Sequence, residues 1–110
     1  MTLEGLKTAL EGINDGAFKD KVAYRAFPVG AAPSLPFICF MEVESNNFVA
    51  DCKVYQKFTE VNIELYSNTK DTTTEAAVET MLNNNLLVWD KSEYYIDDED
   101  VVQVVYGIEI

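Results

Sequence analysis

The chain has 110 residues, of which 48% are hydrophobic and 25% are charged. This balance is that of a globular protein and excludes a disordered chain, while the length suits a single domain, residues 1–110, and is too short for two cores. The net charge of −11 is concentrated in the second half, residues 56–110, which contains three basic and twelve acidic residues. Such a surface repels phosphate, which argues against sequence-specific nucleic-acid binding and against docking on an anionic membrane leaflet.

The beginning of the chain and its cysteines favour a protein of the cell interior. Glu4 stands where a secretory signal needs a basic region, and no long apolar run follows it. The most apolar stretch, residues 35–41, is far shorter than the ~20 residues that cross a bilayer. Cys39 and Cys52 lack a CxxC spacing, and we favour reduced thiols, buried as small hydrophobic groups, over a disulfide. We therefore expect a soluble protein.

An amphipathic helix is predicted over residues 3–13. Its apolar residues recur at spacings of three and four and form one stripe: Leu3, Leu6, Leu10 and Ile13. A first strand is predicted over residues 22–27, and it ends at Pro28. The loop that follows, residues 28–36, also contains Pro33 and Pro36, which lower the entropy cost of ordering it against a partner. This loop is a candidate contact segment, although an ordinary surface loop has the same composition.

Two strands are predicted in the middle of the chain. Residues 37–43 are almost continuously apolar, which is typical of a central strand. A turn at Ser45, Asn46 and Asn47 leads to a segment from about residue 52 to 66, whose side chains alternate between apolar and polar. We interpret this segment as the antiparallel partner of the preceding strand.

A second helix and a last strand complete the predicted order. Thr72 and Glu75 have the spacing of a capping box, which predicts a helix that starts at Thr72. Residues 86–89 and 94–96 form two short apolar pieces separated by charged residues, and residues 102–110 are predicted as a central strand or one covered by a neighbouring subunit. The sequence thus predicts an α+β fold in the order α-β-β-β-α-β, with two helices packed on an antiparallel or mixed four- to five-stranded sheet.

Catalytic and metal-binding motifs are missing from the sequence. The chain has no histidine, which removes histidine-activated nucleophiles and imidazole ligands, and neither GxxxxGK[ST], GxGxxG nor GxSxG occurs. Two cysteines without histidine do not complete a zinc site. The acidic residues 97–100 lack the spacing of a calcium-binding loop, so we interpret them as a solvated turn. We expect no cofactor, no metal and no enzymatic activity; an enzyme that uses carboxylates alone has no supporting motif.

Some residues are candidates for contacts with other proteins. Arg25 is the only arginine, a residue type enriched at binding hot spots, although a position facing solvent or paired with a carboxylate of its own chain is the favoured alternative. The aromatic residues Tyr94, Tyr95, Phe48 and Tyr55 pose the same question, and for each we favour the core. The candidate interface residues are Arg25, Pro28, Pro33, Pro36, Asn46, Asn47 and Phe48.

Five stretches extend over most of the chain from Val22 to Tyr106 and beyond: VAYRAFPVG, PSLPFICFMEVESNNFVADCKVY, VNIELYSNTKD, TEAAVETML and YYIDDEDVVQVVYGIEI. They resemble small structural proteins of tailed bacteriophages and prophages, of the tail-completion or head-tail joining class. These stretches are structural segments without a catalytic signature, so the resemblance assigns no individual functional residue.

The resemblance implies a virion protein that is assembled in the cytoplasm of the bacterial host. Proteins of this class are small α/β subunits that form rings, often of six, where the neck or tail tube joins the capsid connector. A homo-oligomer is therefore implied, with other phage neck or tail proteins as partners and an acidic lumen through which DNA slides. We hypothesise that residues 28–36 and 45–51 make the ring contacts, because both are turn-rich segments between apolar strands.

The acidity also supports a function of another class, an inhibitor that mimics DNA and blocks a host nuclease on behalf of a mobile element. Eight basic residues interrupt the acids, however, and the alternating strands place many carboxylates on ordinary solvent faces. The sequence therefore favours assembly over inhibition.

Overall fold

The computed structural model describes residues 1–50 and 52–110, without the side chains of residues 48, 50 and 54–56. It has an α+β fold, as predicted, built on a five-stranded mixed sheet. The elements of the described backbone are, in chain order, α1 Leu3–Glu11, α2 Ile13–Gly16, β1 Val22–Tyr24, β2 Phe37–Ser45, β3 Phe48–Ala50, β4 Lys53–Gln56, β5 Thr59–Ser67, α3 Thr72–Asn84, β6 Trp89–Ile96 and β7 Val101–Glu109.

The strands of the main sheet lie in the order β1-β2-β5-β7-β6. β1 runs parallel to β2, and the other neighbouring strands run antiparallel. The predicted antiparallel pairing of the two middle strands is confirmed, because Ile38 lies opposite Leu65 and Phe40 opposite Ile63. The prediction of a central last strand is also confirmed, since β7 lies between β5 and β6.

One core lies between the sheet and the helices. Alternation along each strand sends every second side chain to this side, and the apolar stripe of α1 meets them there. Burial of each large apolar side chain contributes roughly 1.5–3 kcal/mol, so this core is the main source of stability. Its buried members are Leu6, Leu10, Ile13, Phe18, Val22, Ile38, Phe40, Val61, Ile63, Leu65, Val78, Met81, Leu82, Val104, Tyr106 and Ile108.

Several predicted boundaries were wrong. The first helix ends at Glu11, because Asn14 and Asp15 take left-handed conformations within the short α2. The first strand ends at Tyr24, because Arg25 has a φ of 68° and turns the chain away from β2. The second long helix starts at Thr72 as predicted, but its cap is Asp71 and not Thr72, since the Asp71 carboxylate accepts a hydrogen bond from the backbone N–H of Thr74 at 3.1 Å.

The segment predicted as one strand from residue 52 to 66 is divided between two sheets. β3 and β4 form a separate two-stranded sheet, whose backbone we call the hairpin arm, residues 48–56. Residues 45–51, predicted as a linker, therefore lie mainly in the end of β2 and in this arm, and Asp51 is outside the described residues. The base of the arm is closed by Asn46 and Asn47, which exchange hydrogen bonds of 2.8 and 3.1 Å with the backbone of Phe58.

The molecule is elongated. The hairpin arm continues from the ends of β2 and β5, and the principal dimensions are 49 × 30 × 24 Å. A nine-residue strand spans only about 30 Å. The radius of gyration is 14.9 Å, against about 13 Å for a compact domain of this length. The described molecule is therefore longer than a single strand of its main sheet.

β6 is one continuous edge strand, where the sequence predicted two short pieces. Its charged middle is tolerated because an edge strand lies half in solvent, and Lys91 reaches the Glu79 carboxylate at 2.9 Å. Trp89 anchors the strand by stacking edge-on against Tyr106, with 5.7 Å between ring centroids. The prediction that Tyr94 and Tyr95 lie in the core was wrong, since both are 56% exposed.

The helices found in residues 1–50 and 52–110 are all too short or too polar to traverse a lipid bilayer.

Candidate interaction surface

The face of the main sheet opposite the helices is called here the open face. The strand registers show which residues lie side by side on this face: Cys39 lies opposite Glu64, and Glu64 lies opposite Val105. Among the described elements no helix covers it, since the buried apolar residues of α1, α2 and α3 all join the core on the other side. The open face includes Phe37, Cys39, Met41, Asn62, Glu64, Tyr66, Asp90, Ser92, Tyr94, Gln103, Val105 and Gly107.

An aromatic cluster occupies one end of the open face. The ring of Phe37 contacts Phe27 edge-on and lies tilted against Tyr66, with centroid distances of 5.3 and 5.2 Å. The Tyr66 hydroxyl donates to Glu64 Oε1 at 2.8 Å and accepts from Gln103 Nε2 at 3.0 Å. Burial, followed by the neighbouring Glu64 carboxylate, raises the pKa of Tyr66. This end therefore presents half-buried rings whose polar atoms are already paired.

The two cysteines have opposite surroundings. Cys39 lies buried in the middle of the open face, where burial and then Glu64 raise the pKa of its thiol to about 11. Cys52 is exposed in the turn of the hairpin arm, with a φ of 62°. The expectation of a buried thiol is confirmed for Cys39 and was wrong for Cys52.

Carboxylates from four strands meet at the other end of the open face. Glu44 lies opposite Glu60, and Glu60 lies opposite Glu109. Partial desolvation, followed by the negative charges of Glu44 and Glu109, raises the pKa of Glu60. Asp90 joins Glu60 and Glu109 along a groove of about 370 Å³. We call Glu44, Glu60, Asp90 and Glu109 the acidic row.

The acidic row is not a metal site in the part of the chain that the structure describes, where no three Asp, Glu or Cys side chains are arranged to hold an ion. Asn46 Nδ2 donates to Glu109 Oε2 at 3.2 Å and joins the row to the base of the hairpin arm. Four carboxylates with one amide neighbour form a surface of strong negative potential. Such a surface attracts a cationic group.

A second charged cluster lies between α3 and β6 on the helix side. Glu75 Oε1 lies 2.8 Å from Lys70 Nζ and 2.6 Å from Lys91 Nζ. Burial alone would raise the pKa of Glu79, but hydrogen bonds from Lys91 and the Tyr106 hydroxyl lower it. Hydrogen bonds to Glu75 and then to Glu79 raise the pKa of Lys91. Each lysine is matched by carboxylates at short range, so the cluster joins the helix to the sheet.

A groove of about 550 Å³ lies between α1 and α3. Its lining residues carry no ionisable side chain: Ala9, Gly12, Ile13, Asn14, Thr73, Ala76, Ala77, Thr80, Met81, Asn84 and Asn85. The hydroxyls of Thr73 and Thr80 have no acid or base among the lining residues to activate them, so this groove offers little to a reaction. The open face, and not this groove, is therefore the candidate functional surface.

The candidate interface residues fall into two separate groups. Arg25 and Pro28 are exposed, while Pro33 and Pro36 are half-buried, in the loop that returns from β1 to β2. The loop reaches the open face through Phe27. Asn46 and Asn47 lie beyond the far end of β2, where they close the base of the hairpin arm. The side chain of Phe48, like that of Tyr55, is outside the described residues, and the contact role of the whole set stays a prediction.

No protein-family model matches the chain, and no curated protein or solved structure matches it either. Function is therefore inferred from the surface and from the resemblance of the sequence.

Sequence reasoning missed the acidic row. The alternation of β5 places Glu60, Asn62 and Glu64 on one face, and this much is readable from the sequence. The meeting of Glu44, Glu60 and Glu109 depends on the register of three strands, including a bulge between Glu42 and Glu44. Neither the register nor the bulge has a sequence signature here.

Proposed function

We propose that this protein is a ring-forming structural subunit of a tailed-phage virion, at the head-tail junction or at the end of the tail. The observation that carries the proposal is the open face, which none of the described helices covers although it contains the central strands of the sheet. A sheet that is covered on one side and has aromatic rings on the other is suited to association with another protein surface. The sequence resemblance indicates which kind of assembly this is.

Two further surfaces support association into a ring. β6 is an eight-residue edge strand without proline, and it pairs only with β7 in the described sheet. Its outer backbone groups are able to pair with another chain. A ring needs two different patches on each subunit, because its contacts are heterologous. The open face, the edge of β6 and the hairpin arm offer such pairs.

The acidity is consistent with passage of DNA. Residues 97–100, in the turn between β6 and β7, are all acidic and exposed. In a ring with these turns on its inner side, their carboxylates repel the phosphates and prevent DNA from adhering to the wall.

Light-scattering mass combined with negative-stain images tests the proposal. For the purified protein we expect a closed ring of identical subunits. In phage preparations made without the protein, we expect heads and tails that fail to join or tails that fail to terminate. A monomer at all concentrations, together with normal infectious particles in the absence of the protein, would exclude the proposal. Stoichiometric inhibition of a host nuclease would instead favour the DNA-mimic function.

A further inference from the structure

We propose that this chain forms a two-fold dimer in which β6 pairs antiparallel with β6 of a second copy, with Ser92 opposite Ser92. The five-stranded sheets of the two copies then become continuous. This inference goes beyond the proposed virion function and does not depend on it, because a two-fold contact does not by itself close a ring.

The outer edge of β6 is open. The residues from Asp90 to Tyr95 are all exposed, and β7 is the only neighbour of β6 in the described sheet. Such an edge is a template for another strand unless a bulge, a proline or an outward charge protects it. β6 pairs with β7 without a bulge and contains no proline. Its one cation, Lys91, does not guard the edge, because its Nζ lies 2.6 Å from Glu75 Oε1 and 2.9 Å from Glu79 Oε2 on the helix side.

The hydrogen bonds of the sheet show which backbone groups of β6 are free. Thr59 and Ile110 exchange both of their backbone hydrogen bonds, at 3.0 and 2.9 Å, at the end of the β5–β7 pair. Bonded positions alternate along antiparallel strands, so the odd-numbered residues of β7 direct their backbone groups to β6. Their partners there are the even-numbered residues. The backbone groups that point to the outer edge therefore belong to Trp89, Lys91, Glu93 and Tyr95.

Charge selects the register of the dimer. Outward backbone groups must face each other, so the two copies of β6 pair about a centre at Lys91, at Ser92 or at Glu93. A centre at Lys91 places two ammonium groups opposite each other, and a centre at Glu93 does the same with two carboxylates, which is destabilising. A centre at Ser92 instead places Lys91 of each copy opposite Glu93 of the other. The register centred on Ser92 is therefore the one in which the charges attract.

The other side chains of β6 are compatible with this register. Tyr94 and Tyr95, each 56% exposed, face Asp90 and Trp89 of the second copy. Asp90 thus meets a phenol ring and not another carboxylate, while the tyrosine and the tryptophan form an aromatic cross-strand pair. The acidic residues 97–100 lie beyond the end of β6 and outside the paired strands.

The contacts that Lys91 and Glu93 make within their own chain extend across the dimer. Lys91 lies beside the buried Glu75, and Glu93 lies 2.5 Å from Lys70 Nζ. Glu93 remains 49% exposed in this pair, so it is accessible to a second ammonium group. In the dimer it lies between Lys70 of its own chain and Lys91 of the second copy. Positive and negative groups therefore alternate across the contact.

The opposite edge of the main sheet is a poorer partner for β6. β1 has three residues, and Arg25 turns the chain away directly after it, with a φ of 68°. The carbonyl of Tyr24 already accepts a hydrogen bond from the N–H of Ala26 at 2.8 Å. Pairing with β1 of another copy would satisfy few of the outward groups of β6, whereas a second β6 has the same length.

Disulfide trapping tests both the contact and its register. Ser92→Cys is introduced together with Cys52→Ala, which removes the exposed native thiol. Cys39 remains, since its burial and its pKa of about 11 keep it largely unreactive. Residues directly opposite on neighbouring strands have Cβ atoms about 4.5–5.5 Å apart, so a small adjustment permits a disulfide. At about 0.15 M salt, which screens the repulsion between two acidic chains, we expect mild oxidation to give a covalent homodimer.

The matched control is Tyr94→Cys in the same background, an exposed position on the same face of the same strand. In the proposed register its two copies are displaced by four residues, about 13 Å, so its homodimer should form at least tenfold more slowly. Mixing it with Asp90→Cys should restore the fast rate, because these two positions face each other. Equal rates for Ser92→Cys and Tyr94→Cys overturn the inference. Absence of a covalent dimer also overturns it, and is the result expected if β6 pairs with an extended segment of a different protein.

A proline tests whether the backbone makes the contact. Glu93→Pro removes an N–H that points away from β7, so the pairing of β6 within its own sheet is retained. Glu93→Ala removes the same carboxylate and keeps the N–H. Sedimentation equilibrium should show a dimer dissociation constant at least tenfold higher for the proline variant than for the alanine variant. Equal constants contradict strand pairing; circular dichroism verifies the fold, and the trapping experiment decides the question if Glu93→Pro is unfolded.

The outcomes separate this inference from the proposed function. A Ser92→Cys dimer in a protein that forms no ring and is dispensable for infectious particles supports the contact and excludes the virion function. Rings that form normally while Ser92→Cys gives no covalent dimer leave the virion function standing and exclude the contact.

Discussion

Glu75 is almost fully buried in the first turn of α3, with only 2% of its surface exposed. Its Oε1 contacts two lysines, while Oε2 makes no hydrogen bond within the described residues. A buried carboxylate is tolerated when cations offset its loss of hydration, and Lys70 and Lys91 have that role here. Since both lysines are partly exposed, removal of Glu75 leaves them able to regain water.

Glu75→Gln should therefore destabilise the fold by about 1–3 kcal/mol, less than the loss of one partner from a fully buried pair. Urea unfolding at neutral pH measures the change. Glu99→Gln, in the exposed turn before β7, is the control and should change stability by no more than about 0.5 kcal/mol. Equal stability of the two variants would show that Glu75 does not hold α3 to β6.

Glu60 gives the acidic row a pH dependence of known sign. Its pKa in the folded state lies above the ordinary value of 4.5, so the ionised carboxylate destabilises the fold at neutral pH. That destabilisation is lost as the pH falls through the raised pKa, because the folded state takes up a proton first. Glu60→Gln should accordingly raise the melting temperature at pH 7, and the gain should shrink toward pH 4.

Thermal unfolding of wild type and variant across this pH range measures the effect. Glu42→Gln, an exposed change on the neighbouring strand and the opposite face, should show no comparable gain. A Glu60→Gln variant that is less stable than wild type at pH 7 would contradict the described crowding of Glu44, Glu60 and Glu109.

At the scale of elements, the start of α3 depends on one side chain. Asp71 accepts a hydrogen bond from the Thr74 N–H through Oδ1 and another from the Thr74 hydroxyl through Oδ2, at 3.1 and 2.7 Å. Asp71→Ala should cost about 1 kcal/mol, the usual cost of losing an N-cap. Thr72→Ala, at the position that the capping-box spacing selected, should cost less than about 0.5 kcal/mol. Chemical unfolding of the two variants measures both costs, and the reverse order would restore Thr72 as the cap.

Elements with a strong hydrophobic periodicity were predictable from the sequence. Elements whose structure depends on pairing with neighbouring strands were not. The alternation of Val61, Ile63 and Leu65 identified the core face of β5, because that strand has a covered face and an open one. β6 has no such pattern. Its middle residues are charged or polar, and it is a strand because β7 pairs with it and Trp89 anchors it. The hairpin arm was missed for a related reason, since its strands have no core to impose an alternation on them.

At the scale of the whole molecule, the fold class followed from the sequence and the surface did not. The order of helices and strands is a property of consecutive residues, so an α+β domain was predictable from them. The acidic row is instead made by residues that are far apart in the chain and are aligned only by strand register. The uncovered side of the sheet was equally unpredictable, because it depends on both long helices packing on the same side.

No single segment of the chain contains all four carboxylates of the acidic row. Glu44 and Glu60 belong to the strands that flank the hairpin arm, Asp90 follows α3, and Glu109 stands at the end of β7. A fragment that contains only β1 to β5 holds two of the four carboxylates, and a fragment from α3 onward holds the other two. The row therefore exists only once the sheet is complete, so an unfinished or truncated chain lacks this concentration of negative charge.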